Sequence, residues 1–137
     1  MRWLQCATLA VFGGCTWTAA FGQQPDLAGT WEWTRKKNGC VERFVFRENG
    51  TAEMKQGEKL TENTYLMAWA AEPNGRFQLT LTTVKDHGGR DCEDSADDAT
   101  GRRSTVYLLF SQSRESMIMC KSPEGTDCTG LMRRIAR

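Results

Sequence analysis

The stretch Leu27-Ala28-Gly29-Thr30-Trp31-Glu32-Trp33 decides how this chain of 137 residues is read. Alternation sets Trp31 and Trp33 on one face and Thr30 and Glu32 on the other, the period-two pattern of a half-buried strand. A small residue, then Trp, then alternation is a suitable opening for a small closed barrel. Its counterpart is the basic segment near the end of the chain, Leu131-Met132-Arg133-Arg134-Ile135. Closure is expected where these two segments meet.

Between them the chain alternates and turns repeatedly, without sustained helical periodicity. The expected strands cover 29–34, 41–47, 51–56, 60–71, 76–84, 104–110, 116–121 and 128–135. Glu48-Asn49-Gly50 is the clearest hairpin signal, because Asn-Gly accepts the positive φ angles of a type I′ turn. Glu72-Pro73-Asn74-Gly75 and Ser122-Pro123-Glu124-Gly125 supply further turns. In the fifth strand Phe77, Leu79 and Leu81 oppose Gln78, Thr80 and Thr82, which implies one solvated face. The fourth carries Tyr65, Met67 and Trp69 on one side and Leu66, Ala68 and Ala70 on the other. Both of its sides are apolar near the end, so burial on both sides or a covering element is expected. The fold class is all-β: a single antiparallel up-and-down barrel of about eight strands, which removes exposed edges by closing on itself. A barrel of that size has an interior filled by side chains or just able to hold one small ligand.

Residues 1–22 read as a secretory signal, with Arg2 before an apolar run and small residues leading to Ala20-Phe21-Gly22. Cleavage after Ala20 or after Gly22 fits, leaving 23–137 as one domain. The apolar run is shorter than the roughly 20 residues of a membrane span. A lipoprotein route through Phe12-Gly13-Gly14-Cys15 is the less favoured alternative, since Phe12 stands where Leu is usual. The expected location is therefore the periplasm or the exterior. Without residues 1–22, whose one charged side chain is Arg2, 17 basic and 17 acidic groups remain. That balance argues against nucleic acid or an anionic membrane surface as partner.

Of six cysteines, Cys6 and Cys15 belong to the signal, leaving Cys40, Cys92, Cys120 and Cys128. An even number in a small exported domain reads as two disulfides. Three pairings are open; Cys120–Cys128, closing a hairpin, and Cys40–Cys92, tying an early turn to a long loop, are favoured. Paired close spacings such as C-x-x-C are missing, so the cysteines do not suggest zinc.

Gly29-Thr30-Trp31 after Asp26-Leu27-Ala28, the hairpin at Phe46 to Thr51 and a late-strand arginine together resemble the lipocalin-like (calycin) barrels. The resemblance extends to small exported bacterial proteins of that type with unassigned function, through Gly39-Cys40-x-Glu42, Asp91-Cys92 and Cys128-x-Gly130. It implies that Gly29 and Trp31 pack beneath Arg133 or Arg134 and cap one end of the barrel. Avidin-type barrels also begin Gly-Thr-Trp, but Glu32-Trp33-Thr34-Arg35 does not match their biotin-gripping residues, so no biotin site is carried over. The short chain, with no evident C-terminal helix, argues against a large cavity.

No residue set suggests catalysis. His87 is the single histidine and sits beside Gly88-Gly89 in a polar loop, and the cysteines are committed to disulfides. The acidic residues between Asp86 and Asp98 lack the ordered spacing of a calcium loop. Asn49-Gly50-Thr51 is a glycosylation acceptor pattern relevant only in a eukaryotic source. No cofactor and no metal is expected. The expected function is non-catalytic binding of a small apolar ligand. Its candidate lining is aromatic and apolar: Trp33, Phe44, Phe46, Tyr65 and Met67, continued by Trp69, Phe77, Leu79 and Tyr107. The alternative is an inhibitor or immunity-type barrel that grips an envelope protein through the 85–103 loop, using Asp86, His87, Arg90, Asp91 and Asp94. At about 19 residues that loop exceeds ordinary connections.

Overall fold

The computed structural model describes residues 26–68 and 71–137. The export segment, with its cleavage and lipoprotein alternatives, and Trp69 and Ala70 lie outside the described residues. Eight strands stand among those described: β1 (Gly29–Thr34), β2 (Val41–Phe46), β3 (Thr51–Gln56), β4 (Lys59–Met67), β5 (Phe77–Asp86), β6 (Arg103–Phe110), β7 (Ser116–Cys120) and β8 (Met132–Ala136). Each pairs antiparallel with the next, and β8 returns to β1, so the sheet is a closed barrel. The seam sets Trp31 opposite Arg134 and Glu32 opposite Arg133. The β7–β8 ladder is brief, holding Ser116 opposite Arg133 and Met117 opposite Met132. Beyond it an isolated bridge joins Cys120 to Cys128, where a disulfide supplies the connection.

Several boundaries differ from the sequence reading. Strand β4 ends at Met67 and its outer face is uncovered: Leu66 is 73% exposed, so the doubly buried strand is not realised. Strand β8 begins at Met132 because residues 121–131 form an outer loop instead of continuing the ladder. The hairpin at Asn49-Gly50 is also of a different kind. A type I′ turn needs positive φ at both central residues, but here only Gly50 has it, at 81°. The Gly50 amide donates to the Arg47 carbonyl and the Arg47 amide to the Thr51 carbonyl. This is a type I turn followed by a glycine bulge, which relieves Asn49 of a left-handed conformation. Residues 72–76 repeat the arrangement, with Gly75 in the place of Gly50.

Inward parity decides the interior. At one end Trp31, Phe46, Leu79, Leu108, Met117 and Met132 are essentially fully buried, with Leu27 beside them. Phe110 sets its ring edge-on to Trp31 and to Phe77, both at 6.1 Å, and Tyr65 meets Phe46 at 5.2 Å. The cap expected from the Gly-x-Trp segment is present, and Arg134 provides it. Its guanidinium lies 4.4 Å from the Trp31 ring centroid. It donates to the carbonyls of Ala28 and Asp26, while the Trp31 indole donates to the Leu27 carbonyl at 2.9 Å. Arg133 points outward and is exposed. Gly29 is required by both conformation and space: its φ is +129°, and a Cβ there would stand 2.6 Å from the Ala136 carbonyl oxygen.

Candidate functional site: a polar cavity at the open end

The opposite end of the same barrel is built from polar side chains at the same inward parity. On β2 the row Phe46, Phe44 continues to Glu42, which is 2% exposed. Its carboxylate accepts from the Trp33 indole, from Arg35 Nη2 at 2.9 Å and from Gln56 Nε2 at 3.2 Å. Arg35 in turn lies over the Trp33 ring at 5.7 Å. On β4 the row Met67, Tyr65 continues to Asn63, Thr61 and Lys59, all buried. The Asn63 amide donates to Thr61 Oγ1 at 2.9 Å and accepts from the Thr83 hydroxyl at 2.9 Å.

Lys59 and Asp86 form a buried ion pair at 3.2 Å, with side chains 5% and 2% exposed. Asp86 Oδ2 also accepts from the Ala99 amide at 2.9 Å, and Oδ1 from the Gly88 amide at 2.7 Å. These amides, foremost that of Ala99, together with Lys59, hold the Asp86 carboxyl below the usual carboxylate range against the opposing effect of burial. The Lys59 ammonium donates as well to the Asp97 carbonyl. The pair thereby anchors the loop 87–102 across the barrel end. Cys40–Cys92 anchors it a second time, with Cα atoms 5.6 Å apart, and Asn38 Nδ2 a third time through the Cys92 carbonyl. The Glu58 and Lys59 amides donate to the Arg90 carbonyl. Gly89 packs so closely that a Cβ would meet the Glu58 carbonyl oxygen at 2.6 Å. Both disulfides are the pairs favoured from spacing.

Within this frame lies a cavity of about 270 Å³. Its polar lining, set toward the open end of the barrel, is Glu42, Gln56, Lys59, Thr61, Asn63 and Thr83. One wall is apolar, from Phe44, Met54, Leu81, Val106 and Met119, and the mouth is bordered by Arg102, Ser104, Lys121 and Asp127. Of the apolar set expected to line a pocket, Phe44 alone borders it. Phe46 and Leu79 are core, Tyr65 and Met67 pack against that core, and Phe77 meets Phe110 edge-on. Trp33 is bound to Glu42 beneath Arg35. Tyr107 stands on the opposite parity to the buried Leu108, hence on the outside of β6, and Trp69 lies outside the described residues.

The loop candidates also separate. Asp86 closes β5 and is buried, and Asp91 borders the cavity while its Oδ1 accepts from the Glu93 and Ser95 amides. His87 is exposed and meets Glu62 at 3.0 Å; Arg90 and Asp94 are exposed and pair at 3.4 Å. Among the described residues no group of three or more His, Cys, Asp or Glu side chains is arranged to hold a metal ion, and no helix is long and apolar enough to cross a membrane.

Sequence reasoning overlooked Glu42, Lys59, Thr61 and Asn63. The signal was available: period two carries the inward face of β2 from Phe44 to Glu42, and that of β4 from Tyr65 down to Lys59. Polar residues at matching ends of adjacent inward faces mark a polar chamber.

Fold and site together define a closed eight-stranded antiparallel barrel, filled at one end and hollow at the other, with two disulfides at the hollow end. Comparison with protein families, curated proteins and solved structures finds no match to this chain.

Proposed function

We propose that this protein is an exported, non-catalytic binding barrel of lipocalin-like kind, working in the periplasm or outside the cell, that holds a small molecule in the cavity at its open end. One observation carries the reading: the four polar or charged residues that are buried as whole residues among those described, Glu42, Lys59, Thr61 and Asn63, all line this one cavity. Burying such groups is costly, and a fold that needed only stability would fill the space with apolar side chains. The cavity volume lies near the lower edge of the about 300–1,000 Å³ typical of ligand pockets, which suits a small occupant. Its polar lining favours a ligand with hydrogen-bonding groups over the wholly apolar one expected from composition. Two disulfides are compatible with an oxidising compartment.

Gentle purification from an envelope extract, followed by native mass spectrometry, tests the proposal. The expected result is a mass excess from one small molecule, released on unfolding. A protein free of small molecules that retains a second polypeptide would overturn it in favour of the other reading, a protein-binding barrel. What favours that reading is the loop 87–102, which is cross-linked into one conformation and presents exposed Glu93, Asp94, Asp97 and Asp98. An ordered loop has already lost the freedom that binding would otherwise remove.

A further inference from the structure

We infer that the occupant of the cavity is a small organic anion, whose carboxylate meets Arg102 and Lys121 at the mouth and whose remaining oxygens meet Lys59 and Thr61 on the polar lining. The inference rests on the cavity being a binding site and adds the chemical class of what enters.

Two independent observations point the same way. The first is the state of the polar lining. Both Glu42 oxygens are engaged, by Trp33, Arg35 and Gln56. Asn63 is engaged at its oxygen by Thr83 and at its nitrogen by Thr61. An ammonium has three donors, and Lys59 directs one to Asp86 and one to Asp97, leaving one. Thr61 accepts through its hydroxyl from Asn63, and its own O–H meets no acceptor among the described residues. Among the described residues, free donors thus remain on Lys59 and Thr61 against one open amide acceptor, Gln56 Oε1, so the polar lining is biased toward a ligand's oxygen atoms.

The second observation is the mouth. Arg35 is neutralised by Glu42, and Lys59 by Asp86. The side chains of Arg102 and Lys121 border the same opening with no hydrogen bond or ion pair among the described residues. Asp91 is turned toward the amides of its own loop, and among the described residues Asp127 is the one acidic side chain at the mouth without a partner. A guanidinium presents a planar fork of donors that matches a carboxylate, and the nearby ammonium adds a point charge. Anions are thus drawn to the mouth by groups distinct from those that grip their other oxygens inside, and the apolar wall from Phe44 to Met119 accommodates a short carbon chain.

The test is titration of the disulfide-bonded mature chain with succinate and malate, with uncharged succinamide and with 1,4-diaminobutane, followed by NMR and calorimetry. The acids are expected to shift cavity signals, malate through its extra hydroxyl more than succinate. Arg102→Ala, an exposed position, is expected to weaken acid binding about tenfold, the loss of one good charge-assisted contact. Lys121→Ala should weaken it less, and Lys85→Ala, exposed on β5 and away from the cavity, not at all. Binding of succinamide or the diamine as tightly as the acids would overturn the anion assignment while leaving the cavity as a site. Acid binding that Arg102→Ala and Lys121→Ala leave unchanged would overturn it too. Silence of every probe at millimolar concentration also overturns it, and the site reading falls as well if the extract-purified protein carries no small molecule.

Discussion

The two ends of this barrel are held by different physics. At the closed end Trp31, Phe46, Phe110 and Leu27 fill the interior, and Arg134 lies across Trp31 with its donors on backbone carbonyls. At the open end the interior is not filled, and order comes from two disulfides, the Lys59–Asp86 pair and the Glu42 cluster. A barrel end that must stay hollow cannot be stabilised by burying apolar area. Cross-links and satisfied charges do that work instead, and they leave donors directed inward. The contrast makes stability separable by position, so each end can be loosened with a distinct signature.

The largest effect belongs to the closed end. Trp31→Ala removes a side chain with no exposure and leaves Arg134 without its stacking partner. A loss of about 3–5 kcal/mol is expected in urea unfolding, as for other buried tryptophans replaced by alanine. A loss under about 1 kcal/mol would mean that the closed end is not the principal core.

Next come the disulfides, both at the open end. Cys40–Cys92 spans 52 residues and Cys120–Cys128 spans 8. On the loop-entropy account their removal costs about 4 and about 2.5 kcal/mol. Replacing Cys40 and Cys92 by Ser should also release the loop 87–102, seen as faster amide exchange at Ala99 and Gly101 while Leu79 and Leu108 stay protected. Uniform loss of protection would show that the ends are not separable.

Asp86→Ala is expected to cost about 3 kcal/mol, because it leaves the Lys59 ammonium buried without its counter-charge. Combining it with Lys59→Met should recover much of that loss, since replacing both partners removes the unpaired charge. The double variant would then be stable but impaired in ligand binding, separating the structural from the binding role of Lys59.

The same pair sets a pH dependence of smaller size. The Asp86 carboxyl titrates lower when folded, chiefly through the Ala99 amide. Its contribution is therefore present above the unfolded value of about 3.9 and lost as pH falls through that value toward the folded one. Melting temperature should drop on acidification below about pH 4. In Asp86→Asn the drop should be shallower, which melting curves at graded pH would reveal.

The closed end was far more legible in the sequence than the open one. Gly29 and Trp31 mark it because a backbone approach that excludes a Cβ and an indole beneath an arginine are local demands on residue type. Even there the choice between Arg133 and Arg134 waited for the register, since a one-residue slip exchanges inside and outside. At the open end Glu42 and Lys59 look like ordinary surface charges, and only parity with Phe44 and Tyr65 turns them inward. Asp86 reads in the sequence as part of the polar 85–103 loop, because its partner is 27 positions away on another strand. Aromatic residues attracted a pocket assignment, yet rings fill space well and so mark where a cavity is absent.

The smallest expected effect tests whether the cap at the closed end is specific or merely charged. Arg134 stacks on Trp31 and reaches the carbonyls of Ala28, Asp26 and Arg114 with its two Nη atoms, geometry that one ammonium cannot reproduce. Arg134→Lys keeps the charge but loses the planar contact and the multiple donors, and about 1–2 kcal/mol should go with them. Because Arg134 also joins β8 to the segment before β1, the loss should appear in amide exchange at Trp31 and Arg134 before it appears at Lys59. If Lys serves as well as Arg, a single charge near the Trp31 ring is sufficient, and neither the planar contact nor the multiple donors of Arg134 would order the closed end.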